Sequence, residues 1–457
     1  MTDEHITEDR EQAFLDEMTE VVERNDRIDT SLYPRFQVKR GLRNADGTGV
    51  LVGLTEIGDV HGYILDEGDK IPVEGRLRYR GIDVTEIVNA CKAEDRFGFE
   101  ETAYLLLFGQ LPDGDQLKSF HRLLGQKRVL PEGFTEDMIL AAPSSSIMNK
   151  LARSALACYS YDDNPDDTSI RNVLRQSVEL VARFPTMIAY GYQAKAHYYQ
   201  EQSLYIHHPE PDDSTAENIL RLIRPSQQYT PLEARMLDMC LTLHAEHGGG
   251  NNSTFTTHVI TSADTDTYSA IAGAVGSLKG SKHGGANVRV INMVEDIKAN
   301  VSDWTDEGEL AEYLTRILHK DAFDRTGLIY GMGHAVYTLS DPRAVMLKEE
   351  AAELAKEKGM EDEYQLYLKL EELGPKVFHD VKKSDRPIAA NVDFYSGFVY
   401  SMLGIPTDLY TPLFAAARVA GWCAHRLEEI VSGGRIIRPA YKNILGRRSY
   451  VPVADRG

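Results

Sequence analysis

His244-Ala-Glu-His247-Gly-Gly-Gly-Asn-Asn-Ser and Gly280-Ser-Lys-His283-Gly-Gly-Ala-Asn287 bound the stretch from which the rest of the chain can be read. Pro231 to His244 has the pattern of a strong helix running into the first segment, and Asp264 to Val275 starts another before the second. Helix, glycine break, helix, glycine break, with no strand–helix alternation and no internal repeat, predicts a mainly α fold and argues against a doubly wound sheet. Glycine has no Cβ, so a ligand or a second backbone can come close. An imidazole beside bare backbone is what a small polar substrate needs. A Gly-rich turn with a structural histidine gives the same pattern when it stands alone. A third such segment, Gly331-Met-Gly-His334-Ala-Val, and an acidic one, Asn391-Val-Asp393-Phe-Tyr-Ser-Gly397, favour the functional reading.

Outward from this stretch, helical patterns dominate. Phe97 to Phe108 is amphipathic and closed by Gly109 and Pro112, and Asp115 to Leu124 is a second helix. Ile170 to Gln200 is a long helix that Pro185 should kink or break. Residues 344–373 are charged and helical with a break near Gly359, and Thr411 to Val431 is a last apolar helix ending at Gly433-Gly434. Glu201 to Ser226, including His207-His208, is polar and Pro-rich and reads as a solvated loop. Toward the N-terminus, Phe14, Met18, Val21 and Val22 fall at helical spacing in a charged segment. Val50-Leu-Val52, Val60 to Ile64 and Ile71-Pro-Val73 predict a small sheet or hairpins.

The 457 residues are 42% hydrophobic and 26% charged, enough for a sizeable core without disulfides. A formal net charge of -20, from 50 basic and 70 acidic side chains, argues against nucleic acid as a partner. It does not exclude small anions, because a few arginines can reverse the field inside a cleft. Cys91, Cys158, Cys240 and Cys423 lack redox or metal-ligand spacing and suit a reducing compartment. The first ten residues are acidic with no apolar core, unlike a signal peptide, and Leu409 to Ala424 is interrupted by Pro412 and Arg418, so no membrane partner is expected. The expected location is the cytoplasm.

Several chemistries compete for these residues. Gly276-Ser-Leu-Lys-Gly-Ser-Lys282-His fails as a phosphate loop, because His283 follows the lysine and the glycine spacing is wrong. His244, His247 and His258 with Glu246 suggest a metal hydrolase, but helical zinc pairs are normally about four positions apart with the Glu beside the first His. Taken together, His247, His283, His334 and Asp393 offer imidazoles and a carboxylate base. Arg343, Arg418 and Arg438 offer planar forks for carboxylates, although any one of them could equally serve a surface ion pair. The set suits proton abstraction next to a carbonyl on a small di- or tricarboxylate.

At this point the chain resembles the citrate synthase family. The resemblance rests on His244-Ala-Glu-His247-Gly-Gly-Gly-Asn, Lys282-His283-Gly-Gly-Ala-Asn287, Gly331-Met-Gly-His334 through Asp341-Pro-Arg343, and Asn391-Val-Asp393-Phe-Tyr-Ser-Gly397. It extends upstream to Leu77-Arg-Tyr-Arg-Gly81 and downstream to Arg438-Pro439.

The resemblance implies an acyltransferase of the tricarboxylic acid cycle that condenses acetyl-CoA with oxaloacetate and hydrolyses citryl-CoA, with no metal and no cofactor. By resemblance, His283 would bond the thioester oxygen, Asp393 would take the methyl proton and His334 would polarise the ketone. His247, Arg343, Arg418 and Arg438 would hold oxaloacetate, with Arg438 reaching across a homodimer. Gly331, Met332, Gly333 and Ala335 would meet the adenine of CoA, and Lys383 and Arg386 its phosphates. Thr338 stands where some members carry a basic residue, which puts that phosphate contact in doubt. The implied architecture is a large helical domain, 1–280 and 400–457, with a smaller one, 281–399, inserted. The rivals are a 2-methylcitrate synthase using propionyl-CoA, the metal hydrolase above, and a silent helical scaffold. One methylene in an apolar pocket is worth only ~1–3 kcal/mol.

Overall fold

The structure, a computed structural model, describes residues 3–44, 46–67, 69–384 and 386–456. The chain divides into two units, residues 1–54 and residues 55–457. The first holds the helix Asp3–Asn25, a short helix Leu32–Arg35 and irregular chain. Phe14 and Val22 lie exposed on the long helix, as its charged composition predicts. The strand expected at Val50-Leu-Val52 does not form. Leu51 and Val52 are exposed, and backbone pairing stops at Val50, whose N–H donates to the Leu42 carbonyl at 2.9 Å beside the isolated bridge between Arg43 and Gly49. β-branched side chains favour strands through their neighbours, and here none pair.

In the second unit the other two expected strands form a three-stranded antiparallel sheet, β1 (Gly58–Asp66), β2 (Asp69–Tyr79) and β3 (Ile82–Asp83), in the order β1-β2-β3. The register slips between His61 and Tyr63. At the end of β2 the buried Tyr79 hydroxyl donates toward the carbonyls of Thr242 and Leu243, 3.1 Å from each. Those carbonyls lie in the last turn of the helix Pro231–His244. The sheet therefore anchors the helix end that leads to His247.

The rest is helical, as the sequence predicts, with one correction: the segment read as a solvated loop holds the helix Thr215–Ile223, started by a capping box of Ser214 and Glu217 and buried along Ile219, Leu220, Leu222 and Ile223. Phe99–Phe108 stops at Gly109, which has φ of +76°. Gly114–Lys127 starts on a capping box made by Asp113 and Gln116. Pro185 does not break the long helix, which runs unbroken from Ile170 to Gln200. A mid-helix proline costs ~3 kcal/mol. Here Phe184, Pro185, Met187, Ile188 and Ala189 are all buried, and Thr186 donates to the Arg128 carbonyl at 3.0 Å, so packing offsets the lost bond. This helix lies against the buried helix Tyr410–Val431. Helices Ala286–Asn300, Glu307–Leu318, Pro342–Lys358, Glu361–Lys382 and Val392–Met402 pack on one another. The expected break near Gly359 is a left-handed turn with φ of +66°. Among the described residues no helix is long and apolar enough to cross a membrane.

Candidate active site

The site is built where helix ends and glycine turns meet. The helix Pro231–His244 starts on a Thr230 capping box, with proline at its first turn. His244 ends it fully buried, stacked on Phe414 with ring centres 4.2 Å apart, and its Nδ1 lies 3.3 Å from the Tyr400 hydroxyl. Burial, with Arg343 and Arg418 nearby, holds it well below the ordinary imidazole range. Its carbonyl accepts from Arg418 Nε at 2.7 Å. Gly248, with φ of +82°, turns the chain directly after His247.

His247 faces His334, with the two Nε2 atoms 3.2 Å apart. His334 Nδ1 accepts from the backbone N–H groups of Val336 at 3.0 Å and Tyr337 at 3.1 Å, and its ring stacks on Tyr337. An Nδ1 that accepts has no hydrogen, so the neutral ring carries its proton on Nε2. His334 is thereby fixed as an N–H donor at the atom that faces the site. Burial and then Arg343 keep His247 well below the usual range, so it is neutral as well.

His283 sits in a turn just before the helix Ala286–Asn300. Its Nε2 lies 3.1 Å from Ser253 Oγ, which also takes the indole N–H of Trp422 at 3.1 Å. Burial and then Arg418 lower it to about 4, leaving it neutral at physiological pH. Burial is the larger of the two causes.

Asp393 lies in the first turn of the helix Val392–Met402, capped by Asn391. Burial raises it to about 6, against the pull of Arg343 and Arg418. Its loop is tied to that of His334. Gly333 N–H donates to the Ala389 carbonyl at 2.8 Å, and Asn391 N–H to the Gly331 carbonyl at 2.8 Å. Asn391 Nδ2 adds a bond to the Gly333 carbonyl at 2.9 Å. Gly331 has φ of +79°, and a Cβ there would fall 2.8 Å from Phe394 and from Val290.

The arginines divide. Arg343 is buried and makes a two-pronged bond to Asp341, Nε to Oδ1 at 3.0 Å and Nη2 to Oδ2 at 2.8 Å, which leaves Nη1 outside the pair. Arg418 is also buried, but both its Nη1 and Nη2 lack a partner. Burial lowers it to about 10, and its charge acts on His244, His247, His283 and Asp393 alike. Two buried guanidinium nitrogens with nothing to bond are costly unless an anion meets them. Arg438 is not brought to this cluster. It lies exposed in the irregular chain that follows the helix Tyr410–Val431.

Met332, Gly333, His334 and Arg386 line a cavity of about 380 Å³, together with Thr338, which is buried. Gly331 is packed beneath it, while Ala335 and Lys383 are exposed and outside its lining. The alternative metal set does not assemble: His247 faces His334, whereas His258 faces His425 and Glu429. Asp341, Tyr337 and Ser253 are contributors without an assigned role in the sequence reading. Only Asp341 carried a local signal, an Asp-Pro helix start.

The family model described as "Citrate synthase, C-terminal domain" matches residues 44–440. The chain is 35% identical over 372 residues to a citrate synthase of Corynebacterium glutamicum, covering 80% of this chain and 79% of the relative. It is 32% identical over 381 residues to a 2-methylcitrate synthase of Shewanella oneidensis, covering 83% of this chain and 92% of that protein. Among solved structures it resembles the ternary complex of carboxymethyl coenzyme A and oxaloacetate with citrate synthase from Thermoplasma acidophilum. The TM-score is 0.73 and the identity 26%, over 92% of this chain and 99% of that one.

Proposed function

Because the chain belongs to the citrate synthase family, we propose that it condenses acetyl-CoA with oxaloacetate and hydrolyses the citryl-CoA formed, giving citrate and CoA. The observation that carries this reading is Arg418, a buried guanidinium with two unpartnered nitrogens among the imidazoles and Asp393. A carboxylate of oxaloacetate fits that fork, with Arg343 Nη1 and His247 beside it. His334 donates its Nε2 hydrogen to the ketone oxygen and protonates the alkoxide as the new C–C bond forms. Asp393, raised to about 6, takes a proton from the acetyl methyl. His283 stays neutral and donates to the thioester oxygen as negative charge grows there.

CoA lies along the cavity at Met332, Gly333 and Arg386, with its phosphates toward Arg386 and Lys383. The segment 281–399 closes over the large domain, 1–280 and 400–457, and keeps water out until the C–C bond exists. A homodimer brings Arg438 of one subunit to the other's oxaloacetate, in keeping with its exposed place in this chain. No metal or redox cofactor takes part, and the four buried free cysteines suit the cytoplasm.

The relative named as a 2-methylcitrate synthase favours a second reading, in which propionyl-CoA is the better substrate. Free-thiol release with acetyl-CoA and with propionyl-CoA, each with and without oxaloacetate, tests both. Thiol should appear only when oxaloacetate is present, and faster with acetyl-CoA. Release that ignores oxaloacetate would make the protein a thioesterase and end the proposal.

A further inference from the structure

Behind the substrate site lies a second cluster that the condensation does not use. His258, on the helix Asn252–Thr261, and His425, on the helix Tyr410–Val431, face each other with His258 Nε2 3.1 Å from His425 Nδ1. Each imidazole is held from behind by a carboxylate. His425 Nε2 is 3.0 Å from Glu246 Oε1, and His258 Nδ1 is 2.8 Å from Glu429 Oε2. Glu428 reaches the same place. Its Oε2 is buried with no hydrogen-bond partner, 3.8 Å from His425 Nδ1, while Oε1 is held by the Glu56 N–H at 2.7 Å. One donor atom from each of His258, His425 and Glu428 lies within 4.8 Å of the others.

Proton counting makes this arrangement unusual. An ionised carboxylate accepts only, so Glu246 and Glu429 each take a ring N–H. With those hydrogens placed, two neutral rings turn bare lone pairs toward each other. Two lone pairs cannot bond, and a cation must sit between them. Glu246 is fully buried, and its Oε2 has no hydrogen-bond partner. Three carboxylates converge on the two imidazoles, with Arg418 acting on Glu246 and Arg80 on Glu428 from outside the cluster.

We propose that His258, His425 and Glu428 bind one divalent transition-metal ion of the zinc class, which joins the two helices behind the substrate site. Two imidazole nitrogens and one carboxylate oxygen suit zinc, whereas magnesium and calcium prefer oxygen ligands alone. Zinc–nitrogen bonds of ~2.0–2.1 Å at a tetrahedral angle put the nitrogens about 3.3 Å apart, close to the spacing already present. Glu246 and Glu429 are the outer partners that fix which ring nitrogen faces the metal. The His258 and Glu428 side chains are 13% and 15% exposed, so the fourth position opens toward solvent. None of the ion's three ligands is a residue given a proton transfer above. It acts on the scaffold, because Glu246 adjoins His247 and His425 lies two turns beyond Arg418.

The test is calorimetric titration of the chelator-dialysed full-length protein with Zn²⁺, and separately with Co²⁺ followed by visible absorption. One Zn²⁺ per chain, a rise in melting temperature, and Co²⁺ bands of low-symmetry four- or five-coordinate type are expected. Glu428→Gln and His258→Gln should lose the binding, and Glu429→Gln should weaken it ~10–100-fold, as outer partners typically do. All three should keep thiol-release activity in metal-free buffer. No saturable Zn²⁺ binding would mean that a proton is the cation between the rings, which overturns the proposal. Binding unchanged in folded Glu428→Gln would place the ion elsewhere and overturn it too, even if His258→Gln fails to fold.

Discussion

Asp393→Asn is expected to raise the stability of the protein while removing most of its turnover. Burial lifts the carboxyl from its ordinary 3.8 to about 6. A group raised in this way adds stability below the unfolded value and loses it as the pH climbs through the folded one. At about 1.4 kcal/mol per pH unit, holding this carboxylate ionised in the fold costs ~3 kcal/mol above pH 6. That is an upper figure, because the residue keeps a minor exposure to water. Asparagine keeps the shape and carries no charge, so the variant should unfold at higher urea than the parent above pH 6. The advantage should shrink as the pH falls through 6 and vanish near 4. A positioned base contributes ~10²–10⁴-fold, and the loss should fall on kcat with oxaloacetate affinity little changed. Urea unfolding on both sides of pH 6 at fixed protein concentration, calorimetry of oxaloacetate binding and steady-state rates read all three. A variant less stable than the parent at every pH, or one with near-normal turnover, would refute the assignment of a strained base.

Arg418→Leu should weaken oxaloacetate binding by ~2–5 kcal/mol, or about 30- to 5,000-fold in KM, as expected for a buried charge that loses its partner. It should cost the free protein little stability, because removing a buried charge with two unpartnered nitrogens offsets the lost bond from Nε to the His244 carbonyl. Unchanged oxaloacetate affinity would remove Arg418 from the site. Mixing Arg438→Ala with Asp393→Ala chains should restore activity in heterodimers, where one site of the two is intact. Silent heterodimers, verified by mass, would show that Arg438 does not act in trans.

The helical architecture was legible because its periodicity and punctuation agree: the helix Pro231–His244 falls on its predicted ends, and the left-handed turn at Gly359 falls where the charged pattern breaks. The helix Ile170–Gln200 has its predicted bounds, and Pro185 does not break it because the proline's cost is local while the packing that offsets it comes from segments distant in sequence. The strand at Val50-Leu-Val52 was misread for the converse reason, since local preference found no neighbour. At the site, the histidines and Asp393 announced themselves through flanking glycines. The pairing of Arg343 with Asp341, the hold of Ser253 on His283, and the stacking of Tyr337 on His334 depend on how loops fold back, which spacing does not encode.

The bonds joining residues 331–333 to 389–391 have a consequence for fidelity. They make His334, proposed to polarise the ketone, and Asp393, proposed to strip the thioester methyl, two faces of one hydrogen-bonded part. Neither can be set in place while the other stands idle. An enzyme handling an energy-rich thioester is exposed to idling, in which the acyl donor is activated with no acceptor ready and is lost to water. A shared mount works as an interlock: disturbing it disarms both groups together, so damage there should yield a quiet protein and not one that wastes its thioester.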